Sequence, residues 1–323
     1  MSALMTALAR DGRRVGLTSI GYDGEELDNV TGLPKPRITV GPGNVIATAR
    51  RCFTGSEAAL RLAQETDIST PLGPVWLAEA EGQGRIVLAG PNTGRTLRAV
   101  LSRMETFHPD LVLVDGALNR IVPLMETDGV ILTTGAARSV SVDQLAGEVR
   151  AMARLFGIPA MDSEHALVGP ASFTRAGDAE AVAASLVPGC EALALPGLVS
   201  LDALRLLVER SRSLNWGKKI IFRNVAQLVL TGDAVSGAEF VAEAESKGFR
   251  VGLRSSVPLL FVTVNPFYPR FRAERGDYTA ASIDAAVLAR TVRRAVNIPV
   301  IDVVREGSDA CLAALSRVMG PWT

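Results

Sequence analysis

No run of about eighteen apolar residues occurs in this chain, so nothing in it reads as a membrane-spanning helix. Its three cysteines, Cys52, Cys190 and Cys311, are odd in number and far apart. That pattern fits neither a disulfide framework nor a paired-cysteine metal site, and they read as buried thiols of a reducing cytoplasm. The two histidines, His108 and His165, have no Ser or Cys nucleophile at a recognisable spacing and cannot alone hold zinc. Aromatic residues make up only 5%, and 34 basic residues balance 34 acidic ones, which leaves neither stacking platforms nor a phosphate-backbone footprint for nucleic acid. The opening segment places Leu4, Met5 and Leu8 at helical spacing, yet its apolar part is too short for a secretion signal. The expected protein is soluble, cytoplasmic and without a nucleic-acid or membrane partner.

What is present favours alternating layers of helix and strand. The 323 residues exceed the usual size of a single core, and 48% hydrophobic residues with a mean hydropathy of +0.24 suffice for well-buried parallel sheets. Short apolar runs at 14–20, 75–78, 85–88, 111–114 and 129–133 are the size of strands, and 75–78 with 85–88 reads as a hairpin. Helical spacing is expected over 45–53, 56–66, 93–107 and 142–156. The stretch 161–178, with Gly169, Pro170, Ser172 and Gly177, reads as a linker. A second alternation of strands (192–195, 219–222, 249–253, 259–265, 300–304) and helices (201–213, 236–247, 282–296) follows it. Two α/β domains, 1–165 and 166–323, are therefore expected.

The polar residues concentrate in one place. Residues 15–40 begin as a strand and then carry Thr18, Ser19, Asp23, Glu25, Glu26, Asp28, Thr31, Lys35 and Arg37, the composition of a loop that opens from a strand's carboxyl end onto a ligand crevice. Three further clusters stand at expected strand ends. Residues 109–120 run from four apolar residues into Asp115, Gly116 and Ala117; an acid in that position orients water around Mg²⁺, or it caps the turn. In 128–141, Thr133, Thr134, Gly135 and Ala136 let a ligand approach the backbone, or they form a tight turn. The Gly/Pro/Asn loop at 88–95 either presents backbone N–H groups to an anion or is a plain turn. Asn224 and Asn265, at other strand ends, either read a ligand or close a turn.

Such a constellation calls for a phosphate cradle, yet no G-x-x-x-x-G-K-[ST] occurs in the sequence. The run GLTSIGYDGEELDNVTGLPKPRITV (16–40), with ATARRCF (47–53), TDISTPLGPVWLA (66–78), LAGP (88–91) and DLVLVDGALNR (110–120), resembles the ATPase-like reactivase subunit of coenzyme-B12-dependent lysine 5,6-aminomutase. The resemblance continues weakly through 194–204 and 262–269. It implies a P-loop-NTPase-like, mostly parallel sheet flanked by helices, of the kind found in dethiobiotin synthetase, plus a second, smaller α/β domain.

In that comparison Asp115 falls at the Walker B position and KPRI (35–38) follows the second strand, while Met1 and Ser2 stand where the last hydroxyl residues of a Gly-rich loop would be. The resemblance implies ATP and Mg²⁺ as cofactors, with hydrolysis dependent on a longer chain that supplies the loop. Asp115, with Asp23 or Glu25, is expected at the metal and the attacking water. Thr18, Ser19, Lys35, Arg37, Gly116, Thr134 and Gly135 are expected around the nucleotide. The implied partners are an adenosylcobalamin-dependent aminomutase of lysine or ornithine and a second reactivase subunit. Two other readings stay open: a nucleotide-independent scaffold of the aminomutase, and a dethiobiotin-synthetase-like ATP-dependent ligase.

Overall fold

A computed structural model of the chain describes residues 1–23, 38–116 and 121–319. Helix α1 (Ser2–Arg10) leads into β1 (Val15–Ser19) and β2 (Tyr22–Asp23). Then follow β3 (Ile38–Val40), β4 (Val45–Ala49), α2 (Arg50–Thr54), β5 (Leu60–Thr70), β6 (Gly73–Ala80), β7 (Gly84–Ile86), β8 (Leu88–Ala89), α3 (Gly94–Glu105) and β9 (Leu111–Asp115). The middle of the chain forms α4 (Ile121–Leu124), β10 (Val130–Gly135), α5 (Val142–Phe156), β11 (Ala166–Val168), β12 (Ser172–Phe173), α6 (Ala176–Ser185), β13 (Ala192–Leu195), β14 (Leu198–Val199), α7 (Leu201–Ser211), β15 (Lys219–Phe222), α8 (Val225–Val229), α9 (Ala234–Ser246) and β16 (Arg250–Leu253). It ends with β17 (Leu259–Asn265), β18 (Phe267–Arg272), β19 (Asp277–Ser282), α10 (Ala285–Ala295), β20 (Val300–Asp302) and α11 (Val303–Met319).

The architecture is mixed α/β, with several parallel sheets flanked by helices. Among the described residues the largest sheet has the order β5-β6-β4-β1-β9, in which β4, β1 and β9 run parallel and β6 and β5 are added antiparallel. A second sheet, β10-β17-β20, and a third, β11-β13-β15-β16, are parallel throughout. Strands β1 and β4 are buried along their whole length, as a parallel sheet covered on both faces requires. The boundary expected after residue 165 separates β10 from β17 in sequence, and the two lie side by side in one sheet.

Local sequence explains the helix starts. Thr93, Ser141, Asp233 and Asp284 each cap a helix by accepting from a backbone N–H three residues on, at 3.3, 3.3, 2.7 and 2.9 Å. Helix α1 buries Leu4, Met5, Ala7 and Leu8, one stripe at helical spacing. That stripe meets Cys311, Ala314 and Leu315 of α11, Val15 and Leu17 of β1, Phe261 of β17 and Ile301 of β20 in one continuous core. On the opposite faces the sheets have separate covers: Val100 and Met104 of α3 over β4 and β6, and α5 with α10 over β17 and β20.

Four expectations are corrected. Residues 45–53 are the strand β4 followed by the single turn of α2, because a strand buried on both faces shows no alternation to separate it from a buried helix. Residues 56–66 contribute to β5, an edge strand whose register shifts at two places and so breaks the period of two. The 75–78 and 85–88 runs do not pair with each other: β6 lies between β4 and β5, while β7 pairs with β3 and β8 with β2. The expected linker contains β11 and β12, which pair in parallel with β13 and β14.

Among the described residues the hairpin β18–β19 pairs only with itself; it carries Phe267 and Phe271 on exposed positions and closes with Phe271 against Tyr278 at a ring separation of 5.2 Å. Cys52 and Cys311 are buried and Cys190 half-buried, and burial pushes the Cys52 and Cys311 thiols up. No helix among the described residues is long and apolar enough to cross a membrane. Because Leu8 is fully buried where α1 meets the shared core, Leu8→Ala is expected to cost about 2–5 kcal/mol, measured by urea unfolding.

Candidate functional site

The carboxyl ends of β4, β1 and β9 point the same way, which is where a parallel sheet opens its ligand crevice. The β1–β9 register sets Ser19 directly opposite Asp115 and Thr18 opposite Val114, and the Ile20 N–H donates to the Asp115 carbonyl at 2.7 Å. Asp115 is half-buried and Gly116 is exposed. Two groups that sequence placed around one ligand are thus neighbours.

The hydroxyl groups of β1 face inward. Thr18 is fully buried and its Oγ1 donates to the Ala47 carbonyl at 3.0 Å. Ser19 Oγ donates to the Gly21 carbonyl at 2.6 Å and accepts from the Gly90 N–H at 3.2 Å. Thr48, which sequence reasoning passed over, completes the arrangement: its Oγ1 donates to the Val87 carbonyl at 3.1 Å and accepts from the Ala89 N–H at 2.9 Å. Its signal was a lone hydroxyl in an apolar strand. Together Ser19 and Thr48 clip the 87–91 segment across the strand ends. Gly90 is the tightest point, since a Cβ there would lie 1.8 Å from the Ser19 carbonyl oxygen. The expected anion loop at 88–95 accordingly spends its Gly90 N–H on Ser19 and Gly21.

The remaining candidates are dispersed. Thr134 and Gly135 end β10 in the second sheet, opposite Val264 and Asn265. A Cβ on Gly135 would stand 2.0 Å from the Asn265 carbonyl oxygen, which accepts from the Ala136 N–H at 2.9 Å. The Asn265 side chain accepts from the Phe267 N–H at 3.0 Å and so turns the chain into β18. Asn224 sits at the start of α8 without a side-chain capping bond. Asp23 lies in β2 opposite Leu88. Glu25, Lys35 and Arg37 lie outside the described residues.

A second acid ends a parallel strand, and sequence reasoning did not single it out although it follows the apolar pair Val300 and Ile301. Asp302 is buried to within 1%. Its Oδ1 accepts from the N–H groups of Val304 and Arg305 at 3.1 and 3.2 Å, and its Oδ2 has no hydrogen-bond partner among the described residues. It borders a cavity of about 320 Å³ together with Arg293, Arg305 and Glu306, of which Arg293 and Glu306 are paired. No group of three or more His, Cys, Asp or Glu side chains among the described residues is arranged to hold a metal ion.

Comparison of the chain with family models, with curated proteins and with solved structures found no match. The site therefore rests on its geometry. The Gly90 contact gives a direct check: Gly90→Ala forces the Ser19 backbone to move and is expected to destabilise the protein by at least about 2 kcal/mol, read from the urea midpoint.

Proposed function

We propose that this protein reactivates an adenosylcobalamin-dependent lysine or ornithine aminomutase in the cytoplasm, acting as a chaperone for exchange of damaged cofactor. The reading starts from the resemblance carried by residues 16–40 and 110–120. The observation that supports it is the position of Asp115, a half-buried acid ending a parallel strand beside Ser19 at the mouth of the crevice. A carboxylate so placed suits water-mediated contact with Mg²⁺ of a P-loop-like nucleotide site. Work on the partner would come from binding its open and closed conformations with different affinity.

The described residues fit only one side of a Mg-ATP site. Asp115 supplies the carboxylate, but the Thr18 and Ser19 hydroxyls donate to backbone carbonyls, and the Gly90 N–H is likewise engaged. They do not form a phosphate cradle as they stand. The same engagement favours a second reading, in which the protein is a scaffold that binds the aminomutase without nucleotide.

Rescue of cofactor-inactivated aminomutase, assayed with and without Mg-ATP, separates the two. If the reactivase reading holds, Asp115→Asn lowers ATP-dependent rescue by at least about tenfold while the urea midpoint stays unchanged. Rescue that is indifferent to both ATP and the substitution selects the scaffold.

A further inference from the structure

Strand β20 ends in Asp302, at the carboxyl end of the parallel sheet β10-β17-β20 rather than of the five-stranded sheet that carries Asp115. The fold uses only half of its carboxylate. Oδ1 accepts from the N–H groups of Val304 and Arg305 and so starts α11, a role that Asn or Ser fills as well. Oδ2 is buried and has no hydrogen-bond partner among the described residues, and an ionised oxygen taken out of water without a partner costs stability. Local rules of this kind are broken where a protein binds or reacts. Asp302 lines a cavity of about 320 Å³, whose other buried residue is Ala289 and whose exposed lining is Ala286, Arg293, Arg305 and Glu306. The charges there are not equivalent. Arg293 donates to the Val300 carbonyl at 3.1 and 3.0 Å and is paired with Glu306, which accepts from the Asp302 N–H at 3.0 Å. That pair is committed to the fold. Arg305 has no ion pair or side-chain hydrogen bond among the described residues.

We propose that this cavity binds a free amino acid by its charged head, the ligand's ammonium donating to Asp302 Oδ2 and its carboxylate pairing with Arg305. One carboxylate oxygen and one guanidinium are what the fold leaves uncommitted, and a zwitterion answers both at once. A metal ion does not suit the lining: it offers two carboxylates, one of them tied to Arg293, beside a second guanidinium. A simple anion would satisfy Arg305 and leave Oδ2 as it is. The size agrees, because about 320 Å³ lies at the small end of ligand cavities, and Ala286 and Ala289 leave room for a short side chain. Arg305 is exposed and its side chain changes rotamer freely, so it turns onto the ligand's carboxylate while the ammonium settles against Oδ2. The position is one that open parallel sheets favour for ligands, outside the carboxyl end of a strand. This site goes beyond the reactivase reading and does not rest on it.

Titration calorimetry of the full chain with each standard L-amino acid in turn tests the proposal, with methylamine and acetate as probes that carry one charge each. Saturable binding of at least one amino acid is expected, with both single-charge probes at least about tenfold weaker. Asp302→Asn keeps the Oδ1 cap and removes the charge, while Arg305→Gln removes the free cation; each is expected to weaken that binding at least about tenfold. The urea midpoint distinguishes a binding role from a structural one: it is expected to hold or rise in Asp302→Asn and to stay unchanged in Arg305→Gln, whose side chain is exposed. No binding of any amino acid overturns the proposal. So does binding that survives Arg305→Gln, or methylamine bound as tightly as the amino acid, since either leaves an amine site without a carboxylate partner. The aminomutase takes no part in these measurements, so the cavity and the reactivase reading stand or fall separately.

Discussion

The apolar layer between α1 and α11 holds the five-stranded sheet and the β10-β17-β20 sheet to each other. Leu4, Met5 and Leu8 meet Cys311, Ala314 and Leu315 there, and beneath them Val15, Leu17, Phe261 and Ile301 contribute apolar side chains from strands far apart in sequence. No strand pairing joins these two sheets among the described residues, so hydrophobic contact through this layer holds them together. Because the layer joins α1 to α11, the packing of these sheets depends on segments far apart in sequence. A helix as short as α1 gains its stability from that packing rather than from its own propensity.

Within the crevice the polar side chains divide by where they point. Thr18, Ser19 and Thr48 are buried and serve the backbone: their hydroxyls donate to the carbonyls of Ala47, Gly21 and Val87. Asp115 remains at the boundary with solvent. A hydroxyl run at a strand end therefore carries two meanings that composition cannot separate, and the burial of the strand decides between them. Asp302 shows the opposite case. Its Oδ1 caps the first turn of α11 while its Oδ2 is buried with no hydrogen-bond partner among the described residues, which gives that strand end an electrostatic character its short apolar lead did not advertise.

How much of this was readable in advance depended on the kind of signal. Helices α3, α5 and α7 were plain because each combines a capping residue with one apolar stripe. Asp115 was readable because it terminates an unbroken apolar run. Strand β4 was not, since burial on both faces erases the alternation that marks a strand, and β5 was obscured by shifts of register. The return of β17 and β20 to β10 was beyond local pattern altogether: strand pairing across more than a hundred residues is set by what a surface needs covered, and no nearby residue encodes it. The carbonyl partners of Thr18 and Ser19 at Ala47 and Gly21 lay beyond local pattern for a related reason, since they are fixed by the tertiary fold.

Two of the closest backbone approaches fall at Gly90 and Gly135, where carbonyl oxygens occupy the space a methyl group would need. The consequence concerns how much sequence change the scaffold tolerates. A carboxylate at a strand end can be exchanged for another polar group and still leave a folded protein, whereas these two positions admit a single amino acid for steric reasons that hold whatever the protein binds. In a library of randomised variants sorted for folding alone, Gly90 and Gly135 would stay fixed while the acids at the strand ends drifted. A chain related to this one by shape, having changed its chemistry, would keep that pair of glycines as part of its signature.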